Sequence, residues 1–457
     1  MKKIIFISIL LFLTTCHYDD DLSRYEFKGE VAFSKIYGGS FDEFVRGVIN
    51  TNDGGFLVVG YTKSEDHGEH NHGGNNNQII EDAWVSKFNA NGEMLWSKTY
   101  GGSEDDYAFS AVENYDGSFT IAGYSSSSDG DVPSNNGLHD FFVFKISSSG
   151  NLIWSKSYGY TSHDHAYKII KTADNGYIVA GYTDYSGGVG FTENNGGVDR
   201  TTNIFQGQMT KNNRHGVGEY YLIKLDTNGN KIWDTFFGGT QNERISDIVE
   251  SNDGGFVMAG YSESNDFDVT GNHGSYDYWV IKINNIGESV WRKSYGGSEI
   301  DQAYGIAKTN NNSYLITGVS NSTDGDISNN LGGSDIWVIH IDDNGTKLWD
   351  KSYGGSGFDT ANAIKKTTNG NFIITGHTRT NNALIQNKGE NDIFSLIISP
   401  TGQVIWQKTF GGSKIDLGYD ATQLDYNSFI IVGETQSIDF DAIGNNGKKD
   451  LLILKVH

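Results

Sequence analysis

The sequence has almost no proline, 2 residues in 457, and a single cysteine, Cys16. One cysteine excludes an intramolecular disulfide, and it excludes structural zinc sites built from several thiolates. Stability must then come from the core and from the way the chain closes on itself. Positive charge is also scarce. The chain has 34 Lys and Arg against 57 Asp and Glu, a net charge of −23. Nucleic acid is therefore not an expected partner, because phosphate binding needs clustered cations. An acidic surface suits solubility and the attraction of divalent cations. Past the N-terminus there is no amphipathic helical stretch. Glycine is abundant at 59 residues, and aromatics reach 13%. That mixture suits many short strands joined by tight turns, with rings filling the core.

The N-terminus reads as an address. Lys2 and Lys3 precede an apolar run over residues 4–13, which is too short to span a bilayer as a mature helix. The run ends at Leu13-Thr14-Thr15-Cys16, which resembles a bacterial lipoprotein signal. The resemblance implies removal of residues 1–15, lipidation of Cys16 and a membrane partner through that anchor. His17-Tyr18-Asp19-Asp20-Asp21 follows and looks like the surface-export signal of Bacteroidota lipoproteins. Residues 16–29 are then a lipidated, acidic tether, and the expected location is the outer membrane, facing outward.

Residues 30–457 are organised by a repeat. An aromatic, two glycines and Ser or Thr recur at Tyr37, Tyr100, Phe237, Tyr295, Tyr353 and Phe410, with a degenerate copy at Tyr158-Gly159-Tyr160-Thr161. The spacings are 63, 58, 79, 58, 58 and 57 residues, a period that signals a solenoid or a propeller. Each repeat holds four strand-like segments, a to d. Segment b has an aromatic four residues before a glycine in every copy, from Phe56/Gly60 to Phe429/Gly433. Segment c opens on an acid, as in Asp277, and d follows a tight turn, as in Gly287-Glu-Ser-Val-Trp291. Four antiparallel strands per repeat make a propeller blade. The chain stops at a c segment, and an orphan d segment, Gly29 to Phe33, stands at the front. The expectation is an all-β, seven-bladed β-propeller closed by its N-terminal strand in the last blade.

The c–d segments carry a resemblance. Gly-x-x-x-Trp ends at Trp96, Trp154, Trp233, Trp291, Trp349 and Trp406, with Phe33 in the Trp place of the orphan segment. This resembles the tryptophan-docking motif of quinoprotein-type propellers, and the whole repeat is similar to bacterial SBBP-type propeller repeats. The resemblance implies the fold and an outer-strand Trp packed between blades. It does not bring pyrroloquinoline quinone, because those dehydrogenases set two adjacent cysteines against the cofactor and this chain has only Cys16.

Function is expected on the rim shared by the d–a and b–c loops, since the opposite turns are minimal. Two acids recur there in every blade. One series is Glu43, Asp106, Asp164, Glu243, Asp301, Asp359 and Asp416; the other is Asp82, Asp140, Glu219, Asp277, Asp335, Asp392 and Asp450. Repetition in every blade favours support of the Gly-rich loops over catalysis. Four b–c loops carry Asp-x-Asp: Asp129/Asp131, Asp266/Asp268, Asp324/Asp326 and Asp439/Asp441. Hard oxygen ligands of this kind are candidates for Ca²⁺. Symmetry breaks in two places. The blade 1 loop adds His67, His70 and His72, candidate transition-metal ligands. Blade 3 adds residues 184–218, with Arg200, Phe205, Arg214 and His215, and its d–a loop holds His163 and His165. These six are the candidate ligand-binding residues. The leading expectation is a surface binding module for a glycan or an envelope protein. The alternative is a glycan-active hydrolase or lyase using carboxylates on this rim.

Overall fold

Among the described residues the alternating apolar segments form 28 strands in seven four-stranded antiparallel sheets. The computed structural model describes residues 27–66, 79–184, 218–445 and 448–457. Cys16, His67, His70, His72, Arg200, Phe205, Arg214 and His215 lie outside the described residues. No helix among the described residues is long and apolar enough to cross a membrane.

Each sheet is one blade of the ring. The innermost strands, in order, are Glu43–Asn50, Asp106–Glu113, Asp164–Lys171, Glu243–Glu250, Asp301–Lys308, Asp359–Lys366 and Asp416–Asp425. The third strands, such as Asp277–Ile283, are buried on both faces between neighbouring blades. Their side chains form the core as clusters that bridge blades. One joins Val45, Val58 and Trp84 of blade 1 to Ile430, Val432, Leu451 and Ile453 of blade 7.

Closure is by the N-terminal strand. Val31–Tyr37 pairs antiparallel with Asp450–Val456, from Val31 opposite Val456 to Tyr37 opposite Leu451. Glu30 and His457 exchange backbone N–H···O bonds at 3.0 Å. Packing begins at Phe27, whose ring meets Trp406 and Phe429 edge-on at 5.4 and 5.3 Å. A closed ring leaves no unpaired end blade to aggregate through.

The outer-strand aromatics explain the turn glycines. The Trp96 indole N–H donates to Ser148 O at 3.0 Å, and that of Trp291 to Asp343 O at 3.0 Å. Each ring covers the c–d turn glycine of the next blade. Trp406 covers Gly29 and Phe33 covers Gly92, with φ of 69° and 71°, so the orphan segment takes its full place in the series. A side chain at either glycine would collide with the ring and strain the backbone.

A bulge in every innermost strand decides what faces the channel. Register shifts at Val45/Gly47, Ala108/Ser110, Ala166/Lys168, Ile245/Asp247, Ala303/Gly305, Ala361/Ala363 and Gly418/Asp420 leave the residue between unpaired. Bulges re-aim side chains. Here the unpaired residues are Arg46, Phe109, Tyr167, Ser246, Tyr304, Asn362 and Tyr419. The second-strand glycine follows from the same close approach. A Cβ on Gly123 would lie 1.8 Å from Tyr107 O, and one on Gly318 1.9 Å from Gln302 O.

Candidate functional site

Both acid series lie beneath the rim. Glu43, Asp106, Asp164, Glu243, Asp301, Asp359 and Asp416 are wholly buried, and the other series is at most 2% exposed. The first series holds the d–a loops. Asp106, Asp301 and Asp416 accept from the backbone N–H of Gly102, Gly297 and Gly412 at 2.6–2.7 Å, and from the hydroxyls of Ser127, Ser322 and Ser437 at 2.8–2.9 Å. Acids of the two series face each other across the anchor glycine. A Cβ on Gly296 would sit 2.5 Å from Asp277 Oδ1 and 2.9 Å from Asp301 Oδ2. Burial pushes these carboxyls up, to about 7 for Glu43, Asp106 and Asp392 and to about 6 for Asp277 and Asp335.

The Asp-x-Asp pairs act as latches on the incoming loop. The first acid accepts a backbone N–H: Ser103 to Asp129 at 2.8 Å, Thr240 to Asp266 at 2.9 Å, Ser298 to Asp324 at 2.8 Å, and Ser413 to Asp439 at 2.7 Å. The second accepts from an anchor glycine N–H: Gly101 to Asp131, Gly238 to Asp268, Gly296 to Asp326 and Gly411 to Asp441, at 3.2–3.4 Å. Asp66 bonds Ser40 N–H in the same way at 3.0 Å. Arg292, Lys347 and Lys388 pair with Asp268, Asp326 and Asp441. The described partners of these carboxylates are thus protein N–H groups, cations and the hydroxyls of Ser40 and Thr240.

The mouth of the channel is asymmetric. Its wall is built from the second residue of each innermost strand and the residue after each second-strand glycine. In blades 1 to 4 these are Phe44, Tyr61, Tyr107, Tyr124, His165, Tyr182, Arg244 and Tyr261. In blades 5 to 7 they are Gln302, Val319, Thr360, His377, Leu417 and Glu434. The first group makes a belt of rings. Phe44 stacks on Tyr61 at 4.6 Å, Tyr61 meets Tyr107 edge-on at 4.7 Å, and Tyr107 lies 4.4 Å from Tyr124. Tyr124 stacks on His165 at 3.8 Å and 7°, and Arg244 lies 3.6 Å over Tyr182. Polar groups edge the belt: Tyr107 O–H donates to Glu81 at 2.5 Å, and Lys63 pairs with Glu81 at 3.1 Å. Below it, Arg46, Phe109, Tyr167, Arg244, Tyr304 and Tyr419 surround a cavity of about 280 Å³. The waist is crossed by Lys168–Asp247 at 2.9 Å and Lys365–Asp420 at 2.6 Å.

His163 and His165 belong to this belt, and they bring a third histidine with them. His163 precedes the acid Asp164 and His165 follows it, so the alternation of the strand sets both rings on one side. His139 comes from blade 2, just before Asp140. A parallel bridge joins His139 to His163, with Asp164 N–H donating to His139 O at 2.8 Å. Nδ1 of His139 then lies 2.7 Å from Nδ1 of His163 and 2.8 Å from Nε2 of His165. Nδ1 of His165 lies 3.0 Å from Tyr182 Oη. Burial, and then the neighbouring imidazoles, hold His139 down to about 4 and His165 to about 2. His139 escaped the sequence reading because nothing local marks it. Comparing the residue before each third-strand acid (Glu81, His139, Gly218, Tyr276, Ser334, Asn391, Lys449) would have singled it out.

No family model matches the chain, and no curated protein matches it. Solved structures do. A protein of unknown function from Bacteroides caccae aligns over 70% of this chain and 93% of its own, at 10% identity and TM-score 0.34. Sqt1 from Chaetomium thermophilum covers 94% of this chain and 100% of its own, at 9% identity and TM-score 0.46. BamB from Moraxella catarrhalis covers 90% and 99%, at 12% identity and TM-score 0.35. Likenesses this distant say nothing about a ligand. The class that fold and mouth define is a seven-bladed β-propeller with one aromatic, histidine-bearing sector.

Proposed function

We propose that the protein is a lipid-anchored binding module of the outer membrane that receives a glycan on the aromatic sector of its mouth. The observation that carries this is the run of rings from Phe44 to Tyr182, confined to blades 1 to 3. Sugar rings offer apolar faces that pack on aromatic faces, and hydroxyls that bond polar groups at the edges. Glu81, Lys63, Arg46 and the tyrosine hydroxyls supply those edges. The two long b–c loops of blades 1 and 3 belong to the same sector by sequence. The anchor rests on the Leu13-Thr14-Thr15-Cys16 box. The carboxylates on which glycan hydrolysis would have rested are buried and bonded to loops, which favours binding over turnover.

The test is a glycan array with residues 24–457, followed by titration of any hit against Tyr107→Ala and Tyr124→Ala. A loss of about tenfold or more is expected from each, the scale of removing one aromatic anchor. A hit bound equally by both variants would move the site away from the mouth. An empty array with an envelope protein captured in a parallel pull-down would replace the glycan with a protein partner. Cys16→Ser is expected to shift the protein from the membrane fraction to the soluble one.

A further inference from the structure

Three imidazole nitrogens meet at one point beside the belt, and all lie within 4.8 Å of one another. Among the described residues this is the one group of three or more metal-ligating side chains so placed. Protons alone do not satisfy it. Nδ1 of His139 faces two other ring nitrogens, yet an imidazole nitrogen offers either one N–H or one lone pair. As a donor it serves one neighbour and leaves the other facing a proton-bearing nitrogen. As an acceptor it must share a single in-plane lone pair between two donors. A cation at the centre satisfies all three, because each ring then directs its lone pair inward.

We propose that His139, His163 and His165 bind one divalent transition-metal ion of the zinc type, leaving a coordination position open toward the channel mouth. The donor set suits such an ion: three neutral imidazoles and no carboxylate favour Zn²⁺ and its late first-row neighbours over Ca²⁺ or Mg²⁺. Three protein ligands with a free fourth position is the arrangement of zinc sites that take up water or a ligand oxygen. With Zn–N of about 2.0–2.1 Å, tetrahedral ligands stand about 3.3 Å apart. The two short separations here must widen by about half an ångström, and the third, which lies within 4.8 Å, must settle to the same value, both by side-chain rotation. The surroundings fit as well. With its Nε2 on the metal, His165 carries its proton on Nδ1 and donates it to Tyr182 Oη, the outer-shell bond that fixes a ligating ring. Tyr124 stacked on the same ring holds its plane. Arg244 over Tyr182 adds positive charge beside the site, so an anionic or hydroxyl oxygen of a bound molecule is the natural fourth ligand. The ligands come from two blades, so the metal would also tie blade 2 to blade 3. The metal site does not rest on the glycan reading.

The test uses the full-length chain in detergent, made without an oligohistidine tag and stripped with a chelator. Calorimetric titration with Zn²⁺ and elemental analysis should give one equivalent bound, with a raised melting temperature. Co²⁺ should give the strong visible absorption of a low-coordinate site. His163→Gln should weaken Zn²⁺ binding about 100-fold or more. Tyr182→Phe should weaken it about tenfold, the lower end for an outer-shell partner. His139→Gln should match His163→Gln. If it fails to fold, the other two variants decide. The triple variant of His67, His70 and His72 to Gln should keep the equivalent. Uptake that survives His163→Gln, or that disappears with the blade 1 histidines instead, overturns the proposal. Repeating the glycan titration with chelator separates the two readings, since either can fail alone.

Discussion

Arg46 of blade 1 pairs with Glu434 of blade 7 at 2.9 Å, across the seam where the two ends of the propeller meet. Glu434 is 3% exposed, and the guanidinium also donates to Tyr61 Oη at 2.6 Å and lies 4.6 Å from the Tyr419 ring centroid. Removing one partner of a buried pair leaves a desolvated charge. Arg46→Met is therefore expected to destabilise by about 3 kcal/mol or more, and Arg46→Met with Glu434→Leu to recover much of that. Urea unfolding of the four corners of the cycle checks it. A single variant within about 0.5 kcal/mol of the parent would remove the seam from the account.

The closing strand carries a second prediction. Deleting residues 24–37 removes the partner of Asp450–Val456 and uncovers a sheet edge. The melting temperature should fall by about 10 °C or more and the transition should broaden, with association seen by size exclusion. A truncated protein that melts as sharply as the parent would show that the ring does not need its N-terminal strand.

Stability should also depend on pH in an unusual direction. Glu43, Asp106 and Asp392 titrate near 7, and Asp277 and Asp335 near 6, against about 4 for an unfolded carboxyl. The folded state thus holds more protons between about 4 and 7, and its stability falls as pH rises through that window. Asp174 and Asp253 work oppositely: despite partial burial, bonds from Lys224 and Lys282 lower them to about 2, so their contribution goes at low pH. Melting temperature should peak near pH 4 and drop by several degrees at pH 8. Asp277→Asn keeps an acceptor for His273 N–H and removes the charge facing Asp301, so it should flatten that slope. A rise in stability from pH 5 to 8 would refute the assignment.

Gly318 tests the bulge. Its Cβ would sit 1.9 Å from Gln302 O, at a φ open to any residue. Gly318→Ala should cost about 1–3 kcal/mol through overpacking, read as a lower urea midpoint at unchanged slope. A neutral substitution would mean that the two strands approach less closely than described.

Much of the architecture was legible because it repeats. The Gly-Gly anchors, the second-strand glycines and the outer tryptophans each recur at nearly fixed spacing, so seven blades and the closing strand followed from counting. His163 and His165 were legible as exceptions to that pattern. The belt of Tyr61, Tyr107, Tyr124 and Tyr182 was not, because those residues read as ordinary strand positions. The bulges and the blade-to-blade packing decide that they face the mouth.

The sequence by itself determined the strands, the turns, the blade count and the ring closure, since each depends on local patterning or on edges that must be paired. Tertiary structure alone decided where the charges and the histidines ended up. Repetition had marked the two acid series as supports of the Gly-rich loops, and close approach of neighbouring blades is what buries them under the loops they hold. His139 stands 24 residues before His163, the same separation as in the parallel bridges Tyr276–Ile300, Ser334–Phe358 and Asn391–Ile415, but that spacing gains its meaning only from the folded blades. They meet because the d–a loop of blade 3 runs alongside the start of the third strand of blade 2. Only the packing of one blade on the next creates that adjacency.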